Sequence, residues 1–283
     1  MSYSYDIPFR VDLEGKVALI TGGSGGIGGM FCRALAACGA TVVVMGRSEE
    51  KCRAVAEEIN AGGGKAEIIT GDVTSEESVQ KIREWIESRF GKLNILINAA
   101  GGNVRSAIVP QEQVSPEKQE SSLFDMPADV FQKEIDLNLR GTWLPCKVLT
   151  PLMKGQDGAC IINISSMSAF RPLTKIPGYS MAKSGVSSLT EWLAVYLART
   201  GIRVNAIAPG FFETEQNHAL QFNPDGTPTP RHQKIIAGTP MNRFGDLKEL
   251  IGAMLFLVSE KAAGFVTGVV LPVDGGFNVY SGV

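Results

Sequence analysis

Val17-Ala18-Leu19-Ile20-Thr21-Gly22-Gly23-Ser24-Gly25-Gly26-Ile27-Gly28-Gly29 is the stretch that decides the fold. The apolar run from Lys16 to Thr21 has the length and residue types of a buried strand, and it enters a glycine cluster before helical periodicity begins near Met30. Strand, glycine turn and helix in that order build a phosphate cradle. The glycines let backbone approach a pyrophosphate, and the N-terminus of the helix presents N–H groups and a positive dipole end to its charge. The segment predicts a dinucleotide held at Gly22, Ser24, Gly26, Ile27 and Gly28.

Downstream, the apolar stretch Ala40 to Met45 predicts a second strand, followed by Gly46, Arg47 and a helix capped by Ser48. An acidic residue at this strand end would hold the ribose 2′-hydroxyl of NAD. Gly46 and Arg47 suit a 2′-phosphate instead, so NADP is favoured over NAD. A third strand, Lys65 to Thr70, leads to Asp72-Val73-Thr74 and a helix from Ser75 to Phe90; Asp72 either caps that turn or accepts from an adenine amino group. Asn94 to Asn98 is a fourth strand, opening into Asn98-Ala99-Ala100-Gly101, whose small side chains leave room for a flat cofactor.

The polar stretch 103–122 reads as an excursion at the cleft mouth, either disordered or a lid. A helix from Pro127 carries Asn138, a poor helix former with a local task or a structural one, and runs past Pro145, where a kink or tight packing is expected. Ala159 to Ile164 and Arg203 to Ala208 are further strands, the latter ending at Pro209-Gly210-Phe211-Phe212. Residues 211–240 contain a flexible substrate flap over 216–231, and a helix from Asp246 to Val258 and a strand from Val269 to Val273 complete the chain. This alternation predicts an α/β chain, a single domain over residues 1–283. Its core is a Rossmann-type, doubly wound parallel sheet of about seven strands with helices on both faces.

Between the fifth strand and the next helix lie Ser165-Ser166 and Tyr179-Ser180-Met181-Ala182-Lys183. Tyr179 and Lys183 fall one helical turn apart on one face. Lowering a phenol by three pKa units needs roughly 4 kcal/mol. An ammonium about 4 Å away supplies about that much at an effective dielectric near 20, with desolvation opposing it. Such a tyrosine can act as general base toward an alcohol or general acid toward a ketone.

Composition narrows the partners. The chain has 283 residues, 44% of them hydrophobic, and a net charge of −2, which provides no basic face for nucleic acid or an anionic membrane. A small-molecule substrate is the expectation. The N-terminus lacks the pattern of a signal peptide and no apolar run reaches membrane-spanning length, so a cytoplasmic location is expected. Five cysteines without metal spacing read as reduced core thiols, and two histidines give no basis for a zinc site, so no metal is expected.

Thr21-Gly22-x-x-x-Gly26-Ile27-Gly28, Asn98-Ala99-Ala100-Gly101, Asn138, Ser166, Tyr179-x-x-x-Lys183 and Pro209-Gly210 occur in the order and spacing of the classical short-chain dehydrogenases/reductases, which the chain resembles. The resemblance implies that Ser166 hydrogen-bonds the substrate oxygen, that Tyr179 exchanges the proton, that Lys183 holds the nicotinamide ribose and depresses the tyrosine pKa, and that Asn138 keeps a water in a proton relay. It also implies a homotetramer, and a cofactor that meets Val73, Tyr179, Pro209, Gly210 and Phe212 in addition to the glycine turn. Ala99 stands where the family usually has a second asparagine.

Ser165 to Tyr179, Ala208 to Asn217 and Gly264 to Gly268 look more narrowly like the short-chain-type D-mannonate oxidoreductases, which interconvert D-fructuronate and D-mannonate. A sugar-acid substrate needs a partner for its carboxylate and its hydroxyls. Arg171, between Ser166 and Tyr179, is the candidate for a bidentate carboxylate clamp, with Asn103, Arg105, Lys175 and Asn217 on segments expected to border the cleft. The alternatives are a gluconate 5-dehydrogenase-like or a 3-oxoacyl-carrier-protein reductase-like enzyme, and, from another class, a non-catalytic dinucleotide sensor.

Overall fold

The computed structural model describes residues 11–114, 122–213 and 218–282. Among them, seven strands form one parallel sheet: β1 (Val17–Thr21), β2 (Thr41–Gly46), β3 (Lys65–Thr70), β4 (Ile95–Asn98), β5 (Cys160–Ile164), β6 (Arg203–Pro209) and β7 (Val270–Val273). Their order is β3-β2-β1-β4-β5-β6-β7. β1 therefore pairs with β2 on one side and β4 on the other, and the chain reverses its winding between β1 and β4. In such sheets the ligand crevice opens at the carboxyl ends of the strands at that reversal.

The strands are apolar almost throughout because both sheet faces are covered. Alternate residues divide between two cores: Ala18, Ile20, Val42, Val44, Ile95 and Ile97 pack on one side, and Val17, Leu19, Val43, Met45 and Leu96 on the other. Helices α1 (Gly26–Ala37), α2 (Glu49–Ala61) and α9 (Glu249–Val258) cover the first face with Phe31, Leu35, Ile59, Leu250 and Leu257. Helices α3 (Glu76–Phe90), α5 (Gly141–Leu149) and α6 (Pro177–Leu197) cover the second with Ile82, Ile86, Leu144, Leu193 and Leu197. Each such side chain contributes roughly 1.5–3 kcal/mol by leaving water.

Several expectations change. Helix α1 starts at Gly26 rather than near Met30, because Gly26, Gly28 and Gly29 are not at positive φ and enter the helix despite glycine's backbone-entropy cost. The helix expected from Pro127 is divided: α4 (Ala128–Ile135) gives way to a π-helical turn over Asp136–Arg140, and α5 carries Pro145 in its interior. Residues 103–114 are tied down. A 3₁₀ turn spans Arg105–Ala107, Val109 N donates to Lys175 O at 2.7 Å, and Glu112 pairs with Lys234 at 2.7 Å. The rest of that excursion, 115–121, lies outside the described residues. The flap contains α7 (His218–Gln221) and α8 (Pro230–Ala237), joined by a turn in which Asn223 N donates to Thr227 O; residues 214–217, including Asn217, lie outside the described residues. The remaining helix, α10 (Glu260–Ala263), is a single turn.

The five cysteines are free thiols, four of them buried. Among the described residues, no cluster of side chains could hold a metal and no helix is long and apolar enough to cross a membrane.

Candidate active site

The glycine turn after β1 is pressed against the turn after β4. Gly22 has φ +65°, and a Cβ there would lie 2.9 Å from Ala100 Cα. Thr21 Oγ1 accepts from Ala100 N at 3.1 Å, which locks the two strand ends together. A Cβ at Gly28 would fall 2.2 Å from the carbonyl oxygen of Gly22, so the first turn of α1 sits directly on the loop. Gly25 caps α1 without a side chain, and no acidic residue occupies its first turn. The N–H groups at Gly26, Ile27 and Gly28 thus remain for an anion, and this cradle fits a dinucleotide pyrophosphate.

The far end of the cradle is shaped by Ser24 and Gly46. A Cβ at Gly46 would meet Ser24 Oγ at 2.7 Å and Cys52 Sγ at 2.8 Å, so no side chain, acidic or otherwise, fits there. Arg47 follows at once. Asp72 Oδ1 accepts from Thr74 N at 2.8 Å and Thr74 Oγ1 at 2.7 Å, so it caps its turn. The Thr74 N–H chiefly, then the Thr74 hydroxyl and the nearby Arg47 guanidinium, hold the Asp72 carboxyl below its usual range. Val73 turns its side chain into the core against Gly141, leaving only its backbone for a cofactor.

Two other expected cofactor residues are also turned inward. Asn98 is buried, and its Nδ2 donates to Asn163 Oδ1 at 2.9 Å, while Asn163 Nδ2 donates to Thr190 Oγ1 at 2.9 Å. This row of polar groups ties β4 and β5 to α6. Phe212 is buried against Gly245, whose Cβ position lies 2.4 Å from the ring. Pro209 ends β6, and Gly210 lets that strand end approach β7, since a Cβ would stand 2.6 Å from Asp274 Cα.

The four expected catalytic residues converge at the carboxyl ends of β4 and β5. Ser165 fixes the start of the arrangement: its N donates to Ile207 O at 2.8 Å, and its hydroxyl donates to Lys183 O at 3.2 Å. Ser166 is buried, accepts from Ser168 N at 3.1 Å and lies within hydrogen-bonding reach of the Tyr179 phenol. Lys183 Nζ stands 5.6 Å from the Tyr179 ring centroid and donates to Ile164 O at 2.7 Å. Asn138, on the π-helical turn, accepts from Gly102 N and donates to Gly102 O, both at 2.9 Å. Gly101 makes this convergence possible: a Cβ there would stand 2.8 Å from Asn138 Oδ1 and 3.3 Å from Lys183 Nζ.

The electrostatics differ from expectation. Burial pushes the Tyr179 phenol up to about 12, against a lowering bond from Ser166 and with a further rise from the Glu134 carboxylate. Burial pushes Lys183 down to about 8, and Glu134 opposes that fall. Desolvation outweighs the help the ammonium was expected to give the phenolate. With the protein's own groups alone, the tyrosine is a proton donor at neutral pH.

Of the expected substrate residues, Asn103 is exposed, between Gly102 on Asn138 and Val104. Arg171 is exposed too, but its Nε donates to the carbonyl oxygen of Asn278, far along the chain. That leaves the rest of its guanidinium without a partner among the described residues. Glu134 was missed. It is buried, and Oε2 accepts from Val104 N at 2.7 Å. The signal in the sequence was its position one turn before Asn138 on the same helix face, where an apolar residue would be expected.

Residues 16–224 match the profile of the short chain dehydrogenase family. The uncharacterized oxidoreductase UxuB of Bacillus subtilis (strain 168) is 47% identical over 277 residues, 98% of this chain and 100% of that protein. Among solved structures, a Haemophilus influenza protein provisionally named a D-mannonate oxidoreductase, with bound NAD, superposes with a TM-score of 0.94 at 46% identity, covering 98% of this chain and 100% of that one. A gluconate 5-dehydrogenase from Burkholderia cenocepacia J2315, in complex with NADP and tartrate, gives a TM-score of 0.82 at 33% identity, covering 96% and 99%.

Proposed function

The chain belongs to the short chain dehydrogenase family, and from that premise we propose that this NAD(P)-dependent oxidoreductase acts on a sugar acid, D-fructuronate and D-mannonate being the substrate pair. The observation that carries the reading is the convergence of Ser166, Tyr179, Lys183 and Asn138 beside a phosphate cradle. The similarity to the D-mannonate oxidoreductase of known structure supports the choice of sugar acid.

Gly22, Gly26, Ile27 and Gly28 would hold the pyrophosphate through backbone, Ser24 and Arg47 would meet the adenosine ribose, and Ala99, Ala100 and Gly101 would border the nicotinamide half. A bound reduced nicotinamide supplies the hydride. Ser166 holds the ketone oxygen, and Tyr179 gives its proton to that oxygen as negative charge develops there. Lys183 stays charged below about pH 8 and binds a ribose hydroxyl. Burial keeps the phenol protonated at neutral pH, the form in which it can act as general acid toward a ketone oxygen. Arg47 favours NADP over NAD, and the exposed apolar stripe of Trp192, Val195 and Tyr196 on α6 supports a homotetramer.

Oxidation of NADPH or NADH dependent on D-fructuronate tests the proposal. Absence of turnover with every hexuronate and aldonate, alongside turnover of another ketone, would reassign the substrate. A 3-oxoacyl or gluconate-type ketone in the same panel separates the alternatives.

A further inference from the structure

We propose that Glu134 is a positioning residue for this reaction: its buried carboxylate joins the substrate-side loop at Val104 to the acid–base pair on α6 and sets the charge state of that pair. The inference rests on Tyr179 and Lys183 being the acid–base pair and is indifferent to which ketone is reduced.

The geometry is a closed cluster. Glu134 is 1% exposed, at the end of α4 beside the π-helical turn. Its Oε2 accepts from Val104 N at 2.7 Å, and its backbone oxygen accepts from Asn138 Nδ2 at 3.0 Å. The same Asn138 side chain brackets Gly102 through both of its polar atoms. On the opposite side, the Glu134 side chain fits against α6 at Gly178, where a Cβ would come within 3.1 Å of Glu134 Cγ. Gly178 immediately precedes Tyr179, so the Glu134 side chain packs directly on the backbone that carries the phenol. One side chain thus touches the loop carrying Asn103 and Arg105, the turn carrying Asn138, and the helix carrying Tyr179 and Lys183.

A carboxylate in this place needs a reason, since burying a lone charge is costly unless it is paired and hydrogen-bonded. Among the described residues, the charged and titratable groups that face it are Lys183 and Tyr179, both from α6. The loop opposes it with the Val104 N–H, and the π-helical turn opposes it with the Asn138 amide. Burial raises the Glu134 carboxyl, while the Val104 N–H and Lys183 draw it back down. In return the anion favours the ammonium of Lys183 and the protonated phenol of Tyr179. Those are the forms that ketone reduction requires. An apolar residue here would leave Lys183 to lose its proton closer to neutrality.

The test is the titration of Lys183 in protein carrying [ε-13C]lysine, its resonance identified by its loss in Lys183→Arg. In Glu134→Gln, which keeps an oxygen acceptor for Val104 N, the Lys183 midpoint should fall by about one pH unit, a tenfold loss of proton affinity. The alkaline limb of ketone reduction should move down with it while KM changes less than twofold. In Glu134→Val, which also removes the acceptor for Val104, KM should rise several-fold as well. Should the glutamine variant fail to fold, the same coupling reads in reverse: Lys183→Met should raise the Glu134 midpoint in [δ-13C]glutamate-labelled protein. A Lys183 midpoint unchanged in Glu134→Gln, or a Glu134 midpoint unchanged in Lys183→Met, overturns the proposal. Because these titrations need no substrate, a shift in a protein that turns over no hexuronate rejects only the sugar-acid assignment.

Discussion

Lys183 Nζ donates to the carbonyl oxygen of Ile164 at 2.7 Å from a site only 4% exposed, so the ammonium is anchored to the end of β5 and removed from water at once. That burial lowers its pKa from 10.5 to about 8. The folded value lies below the unfolded one, so the folded chain binds fewer protons between these values, and stability rises with pH through that window. Below about pH 8 the full penalty applies, on the order of 3 kcal/mol.

Replacing Lys183 by methionine should therefore stabilise the fold while removing activity. The expected gain in urea unfolding is about 2 kcal/mol at neutral pH, after loss of the Ile164 bond, and should shrink to near zero at about pH 10. Above that, Tyr179 acts in the opposite sense in the parent. Its value is raised from 10 to about 12, so the folded chain holds the extra proton and stability falls across that range. Equal unfolding midpoints at neutral pH for parent and variant would show that the burial of the ammonium carries no such penalty.

Gly28→Ala should weaken dinucleotide binding. The added methyl would lie 2.2 Å from Gly22 O, and helix and loop would have to part, at a cost of about 1–3 kcal/mol in stability. Titration of the variant with NADPH, followed by fluorescence, should show at least a tenfold weaker Kd, together with a lowered Tm.

Arg47→Asp should reverse the cofactor preference. A charge-assisted contact to a 2′-phosphate contributes about 1.5–3 kcal/mol, so kcat/KM with NADPH should fall roughly tenfold to a hundredfold. With NADH it should hold or rise, since the new carboxylate can accept from a 2′-hydroxyl. Steady-state kinetics with both dinucleotides decides it, and an unchanged ratio would remove Arg47 from the site.

Much of this was legible in the sequence, for reasons of range. The sheet could be read because a strand covered on both faces is apolar along its whole length, and the cradle because six glycines fall in Gly22 to Gly29, where a strand passes into a helix. Tyr179 and Lys183 are neighbours through helix geometry alone. What escaped depends on contacts between distant segments. Nothing around Arg171 shows that its Nε will be taken by Asn278, 107 residues on. Asn98 ends a strand and Phe212 follows one, but which way each side chain turns depends on Asn163 and Gly245, supplied by other elements. The π-helical turn at Asn138 has no periodicity of its own, and the sign of the Tyr179 shift required knowing how deeply the phenol is buried.

Arg171→Ala should raise KM several-fold for carboxylated ketones and leave neutral ones little changed, because its remaining guanidinium N–H groups are the part able to meet a carboxylate. It should also loosen the turn 274–279, where Asp274 Oδ2 accepts from Asn278 N at 2.8 Å. Kinetics with matched carboxylated and neutral substrates, and hydrogen exchange at Asn278, report the two effects separately. An equal rise in KM for both classes would mean that Arg171 acts only through the C-terminal turn.

The most direct measurement compares the parent with Tyr179→Phe in NADPH oxidation driven by D-fructuronate. The parent should turn over, and the variant should lose at least about a hundredfold in kcat while binding the dinucleotide as before. Turnover by the phenylalanine variant at the parental rate would contradict the assignment of Tyr179 as the proton donor.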